Sequence, residues 1–368
     1  MRRIIAQTRK ELTQIFRDRL TLILALVLPV ILLLLLGSSI SLTVHELPII
    51  VQDLDSSPAS REFVDALRES ITFRVVAWRT DRQPEQAFLA NAARAALVIP
   101  RHFGRDLARG ANAEVQLLVD ATDANTARLV QGYSAQVVRA FADRTSGATR
   151  PLPIRAEVRL WYNPGRESKK FYGPGIFVLG ISMFPPLLAA LLMAKEGEQK
   201  TILQVYVSNI SAHEFLLGKI FAFTIIALAE WLSALVLLFT YFGLGVAGDI
   251  TPFLVATVLY CFCVATFGTL IGAAIPSQAA AIQAVQLGGF LLVFLLSGLI
   301  FPVENIPAGL RWLSNIVWAR YYIEIVRDAL LQGGGWPATW FAVLMIGAIG
   351  AVFYGIAWRS MRRMQLKD

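Results

Sequence analysis

The side chains that could carry chemistry are few and widely spaced in this chain. The three histidines, His45, His102 and His213, are far apart, and none has the short spacing to another ligand that a metal site needs. Asp53 and Asp55 stand two residues apart just before a proline-opened segment. A metal pair could have this spacing, but a strand end followed by helix-capping residues explains it more simply. We therefore predict no catalytic residue, no metal site and no cofactor bound by this chain.

Glu230 is the residue whose position is hardest to explain by packing alone. It lies near the middle of an apolar run at residues 217–242, where a carboxylate costs about 2.5–3.5 kcal/mol unless it faces other helices or water. Two interpretations remain open: Glu230 lines a path for substrates or attracts cations, or it hydrogen-bonds another helix or a partner subunit. Gln283 and Gln286, three residues apart on one helix face, are weaker candidates for the same path and stronger ones for interhelical hydrogen bonds.

The elements that position these residues are apolar runs long enough to cross a membrane. Hydrophobic residues make up 56% of the chain, above the roughly 45–50% of soluble domains. They collect in runs of about 20 residues, the length that a helix needs to cross a bilayer core. The sequence predicts a mainly α polytopic membrane protein with six transmembrane helices, at about 20–42, 174–195, 217–242, 252–275, 279–301 and 338–358.

The distribution of charge predicts the orientation of the chain. The formal net charge is +8, but the Lys and Arg residues gather at the ends of the apolar runs, so they do not form the aromatic-laced stripe typical of nucleic-acid binding. Both the first 19 residues and the tail are rich in Arg and Lys. Because positive charge favours the cytoplasmic side, both termini are expected there, and an even number of spans agrees.

The polar segments divide the chain further. Residues 1–19 have helical amphipathic spacing and predict a cytoplasmic connecting helix at the membrane surface. Residues 20–44 hold the first transmembrane helix, and residues 45–170 predict an extracytoplasmic α/β domain inserted between the first and second spans. The remaining five spans occupy 171–368. The predicted strands are Pro48–Asp53, Phe73–Trp78, Ala95–Ile99, Glu114–Val119 and Ile154–Trp161. The predicted helices begin near Ser56, Pro84 and Thr122.

Two loops in the second half have unusual composition. Residues 196–214 are half-polar and long enough for a short cytoplasmic helix between the second and third spans. Residues 302–335 interleave tryptophan and tyrosine with charged side chains, the mixture found at membrane interfaces. We expect short helices there that dip into the outer leaflet, with Gly333-Gly334-Gly335 as the hinge into the last span.

The order of these parts resembles the permease subunits of type-2 ATP-binding-cassette transporters, in particular the bacterial drug-efflux-like branch with a large periplasmic domain. The resemblance covers nearly the whole chain. The motifs that carry it are Val51-Gln52-Asp53-Leu54-Asp55-Ser56-Ser57, Ala96-Leu97-Val98-Ile99-Pro100, Val119-Asp120-Ala121-Thr122-Asp123, Tyr162-Asn163-Pro164 and Pro174-Gly175. In the turn after the second span, Glu196, Glu198, Thr201, Leu203, Val205, Gly218 and Lys219 match the family. Lys200 replaces a glycine there, and Ser208-Asn209 stands where Thr-Pro is usual.

The resemblance implies a function and partners. It implies a permease subunit of an ATP-driven exporter that moves hydrophobic or amphipathic substrates (drug-like, lipid or glycan-linked) across a bacterial inner membrane. It implies a cassette ATPase that binds ATP and Mg, a second permease copy or a homologous permease, and in some systems a periplasmic adaptor. The turn would couple the ATPase to the spans through Glu196, Glu198, Gln199, Thr201, Leu203, Val205, Ser208, Asn209 and Glu214. The sequence agrees in having no G-x-x-x-x-G-K-[ST] phosphate loop.

Two other classes of protein are the alternatives. An ion-gradient-driven exporter often shows internal repeats and several intramembrane charges, whereas no clear repeat is visible here and Glu230 is the one strong intramembrane carboxylate. A membrane-tethered receptor or assembly factor would use the outer domain as its working part, but six spans exceed what an anchor requires. Co-purification with an ATPase separates the exporter from both.

Overall fold

A computed structural model describes residues 1–39, 46–70, 72–78, 83–90, 92–120, 124–145, 168–201, 210–299 and 303–362 of the chain. The chain divides into two compact units. One consists of Met1–Ser41 and Leu160–Asp368 and is helical; the other, Leu42–Arg159, carries the β-sheet. The predicted strand Ile154–Trp161 and four residues of the predicted coupling turn, Leu203, Val205, Ser208 and Asn209, lie outside the described residues.

The helical unit is built from long apolar helices. Among the described residues, five helices are long and apolar enough to cross a membrane, and they match the last five predicted spans. Helix α2 lies at the first predicted span but is not among these five, so the count of six spans stays a prediction. The helices of this unit are α1 (Arg2–Arg17), α2 (Arg19–Ser39), α7 (Ser168–Glu198), α8 (Ala212–Thr240), α9 (Thr251–Ala274), α10 (Gln278–Leu296), α11 (Ala308–Ser314), α12 (Trp318–Arg327) and α13 (Trp336–Met361).

Helices α7 and α9 approach each other closely along one glycine-lined seam. A Cβ atom added to Gly268 would lie 2.2 Å from the carbonyl oxygen of Pro186, and one added to Gly272 would lie 2.5 Å from that of Ala190. Gly268 and Gly272 are four residues apart on α9, the spacing that lets membrane helices pack backbone against backbone. This seam fixes α7 and α9 as the centre of the bundle.

Helix α10 is the least covered of the five candidate spans, with 22% of its apolar window buried. A π-helical segment, Gln286–Leu291, interrupts it, and such segments often mark functional positions. Gln283 and Gln286 are both exposed on this helix. Gly298 has a φ of +82° just past the end of α10, in the left-handed region that favours glycine.

The predicted outer segment forms short helices, as its composition indicated. Helices α11 and α12 fill it, and α12 continues as a π-helical turn at Asp328–Gln332. The Asp328 carboxylate accepts hydrogen bonds from the backbone N–H groups of Gly334 and Gly335, both at 2.9 Å. Gly333 and Gly335 have positive φ angles. The three glycines therefore form a tightly bonded turn into α13; a membrane-dipping position stays a prediction.

The second unit contains a four-stranded sheet with the order β2-β1-β3-β4. Strand β1 pairs in parallel with β2 and with β3, and β3 pairs antiparallel with β4. Side chains alternate between faces: Ile49 packs with α3, α5 and α6, and Ile50 packs with α4. The elements are β1 (Leu47–Asp53), α3 (Pro58–Arg68), β2 (Phe73–Val76), α4 (Glu85–Leu89), β3 (Ala95–Ile99), α5 (Phe103–Ala108), β4 (Gln116–Val119) and α6 (Ala124–Thr145).

The acidic pair after β1 serves this local fold. One Asp53 oxygen accepts from the Ser60 hydroxyl at 2.7 Å, and the Asp55 carboxylate accepts from the backbone N–H groups of His102 and Gly104 at 2.7 and 2.9 Å. Hydrogen bonds from Ser57 and Gly104 lower the pKa of Asp55. Among the described residues, no His, Cys, Asp or Glu group could hold a metal ion. The acidic pair thus fastens the loops at the ends of β1 and β3.

Candidate functional site: a charged joint beside the turn between α7 and α8

Helix α1 attaches to the bundle through a polar stripe. Its buried residues are Gln7, Glu11 and Ile15, spaced four apart on one face. Ile5 and Phe16 are 66% and 56% exposed, so much of the apolar face points away from the protein. A surface helix of a soluble protein has the opposite arrangement. An exposed apolar face and a polar inner face suit a helix that lies at a membrane surface against charged partners.

The charged partners form a cluster, which we call the charged joint: Lys10, Glu11, Glu196 and Lys219. The Lys219 side chain is 0% exposed, and its Nζ lies 3.0 Å from Glu11 Oε2 and 3.0 Å from Glu196 Oε1. The Lys10 Nζ lies 3.4 Å from Glu11 Oε1 and 3.5 Å from Glu196 Oε1. Two ammonium groups thus balance two carboxylates. The balance matters because a buried charge without a partner is strongly destabilising.

The carboxylates of the joint also act on its most exposed member, Lys10. Partial burial by itself would lower the pKa of Lys10, but the carboxylates of Glu11 and Glu196 outweigh it and raise that pKa. The Gln7 amide donates to Glu11 Oε1 at 2.8 Å, so both oxygens of Glu11 are engaged. The Lys10 ammonium is therefore held in its charged form next to the buried pair.

The residues predicted to couple the turn to an ATPase fall into two groups. Glu196 is 13% exposed in the joint, and Glu214 caps its own helix by accepting from the Ser211 backbone N–H at 3.0 Å. Glu198, Gln199 and Thr201 are exposed. Glu198 also accepts a hydrogen bond from Gln278 at the start of α10. Of the described turn, the exposed positions that a partner protein can reach are residues 198–201, Ser211 and His213. The coupling role itself stays a prediction.

Glu230 lies inside the bundle, as its place in an apolar run indicated. Its side chain is 0% exposed, and neither carboxylate oxygen has a hydrogen-bond partner among the described residues. Glu230 is therefore enclosed by its own chain in this structure. The structure brings neither Gln283 nor Gln286 into a hydrogen bond with it, because both are exposed on α10.

Hydroxyl and indole groups elsewhere in the bundle core bond one another. The Trp231 indole donates to the Tyr322 hydroxyl at 3.0 Å, and the Thr257 and Tyr322 hydroxyls lie 2.7 Å apart. Tyr260 stacks on Tyr322 with ring centroids 4.0 Å apart. Buried polar groups normally find such partners, and an exception calls for an explanation. Glu230 is one such exception in the bundle core; among the described residues, the Ser297 hydroxyl and the Trp318 indole are others.

Comparison with known proteins adds the decisive observation. The family model described as ABC-2 family transporter protein matches residues 19–359. The chain belongs to this family. The match runs from the start of α2 to residue 359, near the end of α13, and includes the sheet unit, Glu196, Lys219 and Glu230. The resemblance noted from the sequence motifs is therefore confirmed, and the chain is an ABC transporter permease with several membrane-embedded helices.

Curated relatives support the same class. The probable multidrug ABC transporter permease YbhS of Escherichia coli K12 is 26% identical, over 98% of this chain and 97% of the relative. The probable multidrug ABC transporter permease YbhR of the same strain is 25% identical, over 96% and 97%. The inner membrane transport permease YhhJ, also from that strain, is 25% identical, over 86% and 85%. This ABC-2 chain is thus similar to permeases along almost its full length.

Sequence reasoning missed half of the charged joint. Glu196 and Lys219 stood out as matches to family motifs, whereas the first 19 residues were predicted only as an amphipathic surface helix, with no partner for Lys10 or Glu11. Glu11 is 208 residues from Lys219 in the chain, and no local pattern pairs them. The available signal was Glu11 itself, an acidic residue next to Lys10 in a basic segment whose one other acidic residue is Asp18.

Proposed function

We propose that this chain is the membrane-spanning subunit of an ATP-driven exporter that carries hydrophobic or amphipathic substrates out of the cytoplasm or inner leaflet. The observation that carries the proposal is the match to the ABC-2 family over residues 19–359. A separate cassette ATPase binds ATP and Mg, and a second permease copy or a homologous permease completes the transporter. The full sequence has no phosphate-loop motif of its own, which agrees with this division of labour.

The ATPase docks on the turn between α7 and α8. The exposed residues Glu198, Gln199 and Thr201, followed by the stretch up to Glu214, provide the contact surface. ATP-driven closure of the ATPase pair then moves the turn and, with it, the two spans that it joins, which is a rigid-body form of transmission. Glu198 also bonds Gln278 at the next cytoplasmic turn, so movement reaches α10 as well.

The substrate path passes Glu230. A carboxyl group without a partner inside the bundle is ready to bind water or the cationic part of a substrate when the helices separate. The relatives YbhS and YbhR are named as probable multidrug permeases, and drug-like cations are the class that we infer for this chain. An ion-gradient-driven exporter remains the second candidate, because Glu230 is also the kind of group that carries protons or ions in such proteins.

The chain lies in the bacterial inner membrane with both termini and the coupling turn in the cytoplasm. The excess of Arg and Lys in α1 and the tail supports this orientation. The sheet unit then lies in the periplasm, where an adaptor protein is a further expected partner. The sparsely covered helices α10 and α13 supply surface for lipid and for the second permease.

Charge reversal in the exposed part of the turn tests the coupling role. Glu198→Lys places a cation where the ATPase is expected to meet a carboxylate, and like-charge or mismatched contacts at an interface cost several kcal/mol. We expect ATP hydrolysis by the complex to persist while export of ethidium, a planar aromatic cation, falls about tenfold. Transport and phosphate release are measured together in the same inverted membrane vesicles.

Glu62→Lys is the matched control, since Glu62 is also an exposed glutamate but lies on α3 of the sheet unit. It should change neither rate. An unchanged ratio of export to hydrolysis in the Glu198 variant would rule out the turn as the coupling element.

A further inference from the structure

We propose that Lys219 is a positioning residue that binds α1 and both ends of the cytoplasmic turn into one rigid body. The inference builds on the proposed function, because it assigns the joint to the transmission of movement from the ATPase. It stands on the geometry of the charged joint, on one close helix contact and on the burial pattern of α1.

Glu196 and Lys219 lie on either side of the turn in the chain. Glu196 is near the end of α7, immediately before the turn, and Lys219 is two helical turns into α8, after it. Their contact at 3.0 Å closes the base of the turn. A push on the turn therefore moves α7 and α8 together, because their relative displacement would break a buried ion pair.

Helix α1 is bound to the same lysine. The same ammonium group binds Glu11 at 3.0 Å, and Lys10 bridges Glu11 and Glu196 from the outer side. Three elements that are distant in sequence thus share one lysine. Since two carboxylates face Lys219 from different helices, losing either contact leaves a charge in a dry environment.

Helices α1 and α8 also make a close contact beside the joint. A Cβ atom added to Gly218 would lie 2.6 Å from the Cβ of Gln7, and the Thr8 hydroxyl donates to the Gly218 carbonyl at 3.0 Å. Helix α1 therefore rests directly on the backbone of α8. This contact and the joint hold the inner face of α1, whereas exposed apolar residues such as Ile5 contribute little to attachment.

The use of buried ion pairs in the charged joint calls for a reason other than stability. A well-packed apolar cluster of the same volume often stabilises a fold as much as a buried ion pair or more. An ionic joint adds a defined register, since Lys219 meets both carboxylates only when α1, α7 and α8 keep their observed positions. We infer that it sets the position of α1 relative to the turn, and that its loss affects coupling more than folding.

The decisive variant removes every buried charge at once. Lys219→Met alone leaves the carboxylates of Glu11 and Glu196 facing each other and is expected to reduce folding. The triple variant Lys219→Met, Glu11→Gln, Glu196→Gln keeps side-chain size and leaves no unpaired buried charge. We expect normal expression and a normal unfolding temperature, with ethidium export per ATP hydrolysed reduced about tenfold.

A distance measurement separates positioning from simple stability. Spin labels are placed at Thr13→Cys on α1 and Lys200→Cys in the turn, both exposed positions, in the full complex; the native Cys261 and Cys263 are buried. With the joint intact, we expect one narrow distance that stays the same without nucleotide and with ATP trapped by vanadate. In the triple variant the distribution should broaden about twofold.

An equally narrow distribution in the triple variant would overturn the inference and leave the joint as an ordinary structural contact. Failure of the proposed function looks different: the unaltered complex would then show no ATP-dependent export at all, whatever the distance distribution.

Discussion

Replacement of Gly268 by leucine is expected to remove folded protein from the membrane. A Cβ atom at this position would lie 2.2 Å from the Pro186 carbonyl oxygen and 2.6 Å from its Cα. Both are backbone atoms of α7, so the clash cannot be relieved by a side-chain rotation. Overpacking a close-packed core typically costs about 1–3 kcal/mol and sometimes more, and here the two central helices must separate. We expect a loss at or above the top of that range.

The measurement is the yield of monodisperse protein after detergent extraction, followed by its thermal unfolding. Gly272→Leu on the same seam should behave alike, because its Cβ would lie 2.5 Å from the Ala190 carbonyl oxygen. Gly355→Leu is the matched control: it lies in α13 and has no atom within 4 Å of an added Cβ. Normal yield and unfolding temperature for the Gly268 variant would show that the seam does not hold the bundle together.

Replacement of Glu230 by leucine is expected to stabilise the protein and strongly reduce its activity. Both carboxylate oxygens are buried without a hydrogen-bond partner among the described residues, and such a group costs about 1–3 kcal/mol. Leucine removes this cost at similar volume, so the unfolding temperature should rise. Export of ethidium should fall about tenfold, because functional groups are often kept at the expense of stability.

Thermal unfolding and vesicle export of the same preparations check this result. Glu230→Gln keeps the shape without the charge and should also reduce export of cations. Ser233→Ala is the control on the same helix, since the Ser233 hydroxyl bonds the Glu230 carbonyl within α8 at 2.7 Å. Normal export by the Glu230→Gln variant at normal protein levels would assign Glu230 a structural role only.

The membrane helices were the most predictable part of the fold. A run of about 20 apolar residues is a strong signal because the bilayer demands that length and excludes unpaired backbone groups. The strand Ala95–Ile99 was also predicted with its observed bounds, since it is short, apolar and flanked by polar residues. Helix α5, Phe103–Ala108, was missed because a six-residue helix has too little periodicity to be recognised.

Contacts between distant elements were not predictable. Small residues at Gly268 and Gly272 looked no different in sequence from Gly288 and Gly289, because spacing does not tell which neighbour a helix face meets. The same limit hid the partner of Glu11. Glu230 was predictable as an exception for the opposite reason: a lone carboxylate in an apolar run is unusual before any contact is known.

The source of energy for transport most directly separates an ATP-driven exporter from an ion-driven one. The decisive measurement is ethidium uptake into inverted vesicles that contain this chain with or without its cassette ATPase, each with ATP or with an imposed proton or sodium gradient. We predict uptake only when the chain, the ATPase and ATP are all present, with no loss when the gradients are collapsed. Uptake by the chain alone, driven by an ion gradient and indifferent to ATP, would contradict the account.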